Sequence, residues 1–275
     1  FFFDLPQIGA QMADVGGSVA NYLWTAAWPS AERSLYHPFV LGLADSSGRV
    51  PIEVFKHYVA QDATFLRAYA ESYALVQQKL HPEDVAGREA FEVFIQANQS
   101  ELELHRGYSE SLGIDLDGPE AEPSPATLAY TDFLLAAAND PNTSPAHVLA
   151  AMAPCMRLYS FLGMTLACAF PDYLDMSPYS KWVAEYSDPE FQQVAAAVEA
   201  QLDIYASAAL EDPEHGEQEL ECLQGYYNEA MELEFNFFDS QQVGDEGLEQ
   251  SRETVGMMMQ NMMSNIIEQQ GEELQ

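Results

Sequence analysis

The chain has 275 residues, 48% of them hydrophobic, enough for one large core or two small ones. It carries 44 Asp plus Glu against 10 Lys plus Arg, a net charge of −34, and that balance excludes nucleic acid as a partner and disfavours anionic membrane surfaces. There is no run of about 18 apolar residues, so no membrane span is expected. Three cysteines, Cys155, Cys168 and Cys222, are an odd number in apolar settings. They predict no disulfide framework and a reducing intracellular compartment, the cytoplasm or an organelle such as a plastid.

Residues 1–20 have weak periodicity and read as an N-terminal arm. A helix is expected from Val19 to Leu35, with Trp24 and Trp28 one turn apart. The block from His37-Pro38-Phe39 to Pro51, punctuated by Ser46, Ser47 and Gly48, reads as a turn. From Pro51 a strong helix places Val54, Tyr58, Gln61, Asp62, Phe65, Leu66 and Tyr69 along one face. Another helix spans Glu83 to Leu112 and stops at Gly113, and the segment Asp115 to Pro125 is a proline-rich loop. Helices follow at 125–138, 145–169, 178–186, 188–210 and 216–239. Alternating β-branched runs are missing and alanine is abundant, so the fold class is all-α, a helical bundle over 21–239. In the extension 240–275, Met257-Met258-Met259, Met262-Met263 and Ile266-Ile267 form an amphipathic stripe. Such stripes either pack back on the parent domain or dock a partner protein.

The helix 145–169 has Ser144 as a cap and Pro145 in the first position, and aligns Val148, Met152, Cys155, Tyr159 and Leu162. Pro154 removes one backbone bond and predicts a kink that presents Cys155 at a bend. A thiol there suits a nucleophile, although a free cysteine on an apolar helix also serves as a small core residue. Asp62 lies among aromatic side chains, where a carboxylate is costly unless paired. It is either bonded to a buried phenol or open to a ligand's donor. Glu234 falls on the buried stripe of Tyr227, Met231 and Phe238, while Glu232 points away. A di-iron bundle needs Glu-x-x-His on two helices, and none of the six histidines follows a glutamate by three. No metal site and no cofactor are expected. Gly-rich phosphate loops, G-x-S-x-G and Cys-x-x-Cys do not occur.

Seven blocks in order resemble the TenA family, the thiaminase II group of the haem-oxygenase-like all-α fold. They are His37-Pro-Phe-Val-Leu-Gly-Leu; Phe55-Lys-His-Tyr-Val-Ala-Gln-Asp62 with Phe65-Leu66; Glu101-Leu-Glu-Leu-His105 with Leu112-Gly-Ile-Asp; Ser124-Pro125 to Tyr130-Thr131; Pro154-Cys155 with Tyr159 and Gly163; Lys181-Trp182 to Tyr186; and Glu234-Phe-Asn-Phe-Phe-Asp239. The match runs from about Trp28 to Asp239. It looks most like the plant and algal members of the branch that keeps an active-site cysteine. The resemblance implies a pocket for the aminopyrimidine of thiamin or its breakdown products. In it Cys155 adds to the ring, Glu234 handles protons and Asp62 accepts from the exocyclic amine. Tyr130 and Tyr159 bond around the cysteine, and Phe65 and Tyr186 line or stack on the ring. Phe65 stands where the family often has a tyrosine. The resemblance also implies a homo-oligomer. The leading expectation is a hydrolase of thiamin salvage. The alternatives are an accessory or scaffold subunit docking through 1–20 and 240–275, and a haem or di-iron protein on the same fold.

Overall fold

The computed structural model describes residues 17–45, 48–116, 118, 121–172, 177–211 and 214–273, without the side chains of 104, 108, 111 and 262–273. Most of the expected arm lies outside the described residues, as do the side chains of Met262, Met263, Ile266 and Ile267. Eleven α-helices make up the regular structure among the described residues: α1 (Val19–Ala26), α2 (Trp28–Leu35), α3 (Pro38–Ala44), α4 (Ile52–Lys79), α5 (Val85–Leu112), α6 (Pro125–Asn139), α7 (Pro145–Ala169), α8 (Ser180–Ser187), α9 (Pro189–Leu210), α10 (Gly216–Asp239) and α11 (Glu249–Glu273).

Local chemistry sets most of these boundaries. Ser18, Asp84, Ser124, Ser144 and Asp188 each cap the helix that follows by accepting from a backbone N–H in its first turn. Ser144 and His147 complete a reciprocal capping box. Gly113 ends α5 in the left-handed conformation, φ 68°. Two expectations fail for a shared reason. The span Val19 to Leu35 is two helices, because Pro29 sits in the first turn of α2, where its missing N–H costs nothing. The first half of the block after His37, Pro38–Ala44, is helical rather than a turn. Pro38 opens α3, and the His37 Nδ1 accepts from the Phe39 N–H at 3.2 Å. The expected loss of one backbone bond at Pro154 does not end the helix. Helix α7 runs on through the proline, which is buried among packed neighbours, and α4 is tied to the same stretch by the Tyr69 hydroxyl donating to the Met152 carbonyl at 2.8 Å. Packing of this kind offsets one lost backbone bond.

Helix α7 is the axis. It packs on α8, α9 and α10, while α4 packs on α5 and α6. By length and composition alone α7 is apolar enough to cross a membrane, but it is mostly buried here as the central helix of a bundle. The α7–α8 approach is close: a Cβ added to Gly163 would lie 2.5 Å from the Tyr186 carbonyl oxygen. Gln61, buried in mid-α4, holds the α5–α6 connection. Its Nε2 donates to the Glu122 carbonyl at 2.9 Å, and its Oε1 accepts from the Ser124 N–H and the Thr127 hydroxyl at 2.8 and 2.6 Å. This sets the start of α6. Part of the C-terminal extension docks on the bundle. Leu248 and Val255 are fully buried, and the Ser251 hydroxyl donates to Asp45. Met257 at the start of the stripe stays exposed.

Candidate active site

Six helices bring polar side chains to one interior point. Helix α7 supplies Cys155 and Tyr159, α10 supplies Glu234, and α6 supplies Tyr130. Helix α4 supplies Tyr58, Asp62, Phe65 and Tyr69, α8 supplies Trp182 and Tyr186, and α5 supplies Glu101 and His105. All seven residues singled out in the sequence therefore come together. The Tyr130 hydroxyl donates to Glu234 Oε1 at 2.8 Å, and the Cys155 thiol lies near enough to the same carboxyl for each to shift the other's proton affinity. Tyr130 thus bonds the acid beside the cysteine. Phe65 packs on Tyr130, ring centroids 4.7 Å apart, and on Tyr69 at 5.4 Å. Tyr159 packs edge-on against Tyr186 at 4.7 Å. Its hydroxyl accepts from Tyr58 at 3.4 Å, and the Tyr58 hydroxyl accepts from Trp182 Nε1 at 3.0 Å. Of the three free cysteines, Cys155 is half-buried, whereas Cys168 and Cys222 are exposed, contrary to the apolar setting expected of all three.

Burial governs the electrostatics. Desolvation lifts Glu234 from 4.5 to about 7, against the lowering effect of Tyr130 and Cys155. The Cys155 thiol is pushed well up, by burial first and then by Glu234, Glu101 and Asp62, so the resting group is a neutral thiol. Asp62 is raised by burial and by the charges of Glu101 and Glu234. Its Oδ2 lies 3.2 Å from His105 Nε2, a contact that is ionic only when the imidazole is protonated. Burial lowers His105 to about 4, and Asp62 Oδ2 makes no hydrogen bond. Of the two fates open to Asp62, the bond to a phenol is not formed among the described residues; its close neighbour is His105.

The residue that sequence reasoning missed is Glu101. It accepts from the Tyr186 hydroxyl at 2.8 Å, and desolvation raises it to about 7. Its spacing of four from His105, within the block Glu101-Leu-Glu-Leu-His105, is a visible signal that both face one side of the helix. Among the described residues no group of three or more His, Cys, Asp or Glu is placed to hold a metal ion.

A pH prediction follows from the raised acids. The fold favours the protonated forms of Glu234 and Glu101, so their stabilising effect is complete below about pH 4.5 and is lost as pH rises through about 7. Each accounts for about 2–3 kcal/mol over that window. Urea unfolding of wild type at pH 5 and pH 8 should show a larger fall than Glu234→Gln, whose amide has no proton to lose. Equal falls in the two proteins would refute the assignment to Glu234.

Similarity to known proteins agrees with this geometry. The TENA/THI-4/PQQC family model matches residues 24–243. The mitochondrial bifunctional TH2 protein of Arabidopsis thaliana is 33% identical over 228 residues, 76% of this chain, and the chain spans about a third (34%) of that relative's length. The aminopyrimidine aminohydrolase of Halalkalibacterium halodurans is 33% identical over 188 residues, 68% of this chain and 81% of its own. Among solved structures, a TenA family transcription regulator from a Silicibacter species superposes with a TM-score of 0.71 at 26% identity, covering 84% of this chain and 99% of the other. A helical bundle of the haem-oxygenase-like type, matched by the family model over most of its length, makes this chain a member of the TENA/THI-4/PQQC family.

Proposed function

We propose that this chain is a hydrolase of thiamin salvage that cleaves the C–N bond on the methylene of an aminopyrimidine, from thiamin or from an aminomethyl breakdown product. The observation that carries the reading is the Tyr130–Glu234 hydrogen bond beside Cys155, near a second buried carboxyl, Asp62, whose Oδ2 makes no hydrogen bond and lies 3.2 Å from His105 Nε2. The aminopyrimidine presents the matching groups: an exocyclic amine for Asp62, a ring carbon for the thiol, and a flat apolar body for Phe65 and Tyr186.

The chemistry follows from the residues. Cys155 sulfur adds to the ring carbon beside the one that bears the methylene. The thiol proton moves to Glu234 and from there to the ring nitrogen that receives the electron pair. A carboxyl near pH 7 both takes and returns a proton at little cost. Electron flow from the dearomatised ring then breaks the methylene C–N bond, and the amine leaves with the proton that the ring nitrogen gives back through Glu234. Water adds its oxygen to the methylene, its proton goes to Glu234, and the sulfur is expelled as a thiol. The balance is amine plus water giving alcohol plus amine leaving group, with the enzyme unchanged. Covalent addition divides one hard displacement into smaller steps.

The relatives named aminopyrimidine aminohydrolase support this reading. The test is turnover of thiamin and of the aminomethyl aminopyrimidine, read as hydroxymethyl product by chromatography, beside calorimetry of that product. Wild type should hydrolyse at least one of them. Asp62→Asn, which replaces the carboxyl by an amide that cannot ionise on meeting the ligand's amine, should weaken binding about tenfold to a hundredfold. A folded protein that turns over neither compound and gives no binding heat would end the proposal.

A further inference from the structure

A cleft of about 680 Å3 opens beside the site, between α4, α5, α7, α8 and α9. Tyr73, Phe94 and Phe191 give it an aromatic wall, and Glu101 marks where it meets the interior site. Glu101 faces both ways. It lines the cleft and keeps part of its surface open, and its charge is felt by Cys155, Asp62, Tyr58 and Tyr186. Farther out the cleft is lined by Glu185, Asp188 and Glu190, against Lys181 as the single cation among its described lining residues. A separate observation also points to a ligand. Asn98 lines the same cleft, is only 5% exposed, and its Oδ1 acceptor has no hydrogen-bond partner. Buried acceptors are rarely left so, and one such atom at a cleft marks a place for a donor.

We propose that this cleft receives the leaving group of the reaction, that the group it selects is a positively charged nitrogen, and that Glu101 is the residue that recognises it. The inference rests on the hydrolase reading and adds the part of the substrate that reading leaves open. Carboxylates beside aromatic faces, with a spare amide acceptor, suit a protonated amine or a ring cation. An anionic ester on the same methylene would enter against four carboxyls and the field of a chain with net charge −34. Tyr186 donates to Glu101 Oε1 and so fixes the carboxyl at the junction of the two spaces. A cation arriving there favours the ionised form of a carboxyl that burial alone holds near neutral pH.

The experiment uses calorimetry in a Cys155→Ala background, where no turnover competes. The probes are the aminomethyl aminopyrimidine, a cation near pH 7, and its hydroxymethyl counterpart, which is neutral on that arm. Glu101→Gln keeps size and an acceptor for Tyr186 but removes the charge. It should weaken the cation about tenfold or more and leave the neutral ligand within about twofold. Equal losses for both ligands would reduce Glu101 to a support for Tyr186, and no loss for either would remove it from recognition; each overturns the proposal. If Glu101→Gln does not fold, Glu185→Gln at the half-buried outer wall decides by the same ratio, with a selective loss for the cation supporting the cleft and no selectivity refuting it. If the background protein binds neither ligand, the hydrolase reading itself has failed, which is a different result from a failure of selectivity.

Discussion

Replacing Cys155 by alanine removes turnover by at least about a thousandfold, because the covalent route has no second nucleophile to fall back on. Serine should do nearly as badly. Its hydroxyl is a weaker nucleophile, and Glu234 near pH 7 is too weak a base to activate it. Affinity for the hydroxymethyl aminopyrimidine should change by no more than about threefold, since the proposed reading assigns its binding area to Phe65, Tyr159 and Tyr186 and its polar recognition to Asp62. The split matters. A loss of turnover with binding intact places Cys155 in the chemistry, whereas a parallel loss of both would make it a packing residue. The raised thiol adds a second signature. With proton transfer to Glu234 built into the addition, the rate should follow one carboxyl near pH 7, without a separate rise at alkaline pH from thiolate formation. Steady-state rates across pH 5–9, set beside calorimetry of both variants, would check each part.

The second large effect is structural. Gly163→Ala places a methyl group against the backbone of Tyr186, with the carbonyl oxygen 2.5 Å away. The neighbour is main chain on another helix, so no rotamer change relieves it, and α7 and α8 must separate. The expected cost is about 3 kcal/mol or more, at the upper end of overpacking. Activity should fall too, because α8 carries Tyr186 and Trp182, whose bonds to Glu101 and Tyr58 align the interior. Chemical denaturation gives the first number and turnover at low temperature, where the variant stays folded, gives the second. A neutral effect on stability would mean that the helices are free to slide apart.

The three polar residues on apolar faces, Asp62, Cys155 and Glu234, were legible because each breaks a periodic pattern at its own position. Glu101 was not. In Glu101-Leu-Glu-Leu the two acids differ only in which side of α5 meets the bundle, and Glu103 ends up exposed while Glu101 turns inward. That choice is made by packing against α8, more than eighty residues away (|i−j| 85 for the Tyr186 bond). Proline was misread at two positions. Pro29 and Pro38 begin helices, and Pro154 fails to interrupt one, since a proline's effect depends on whether the missing N–H was needed and on what packs around the ring. The role of Gln61 was invisible for the same reason as that of Glu101, as its partners sit in a loop and the next helix.

The convergence of six helices on one point bears on how the molecule can fail. The residues involved run from Tyr58 to Glu234, so no contiguous half of the chain contains a working centre. Cutting the chain in a loop between α4 and α10, or permuting its ends there, separates groups that must meet. Function then returns only if the pieces reassociate along α7. Damaging substitutions should accordingly scatter over nearly the whole sequence, and they should act first by loosening the helix pairs that bring these groups together.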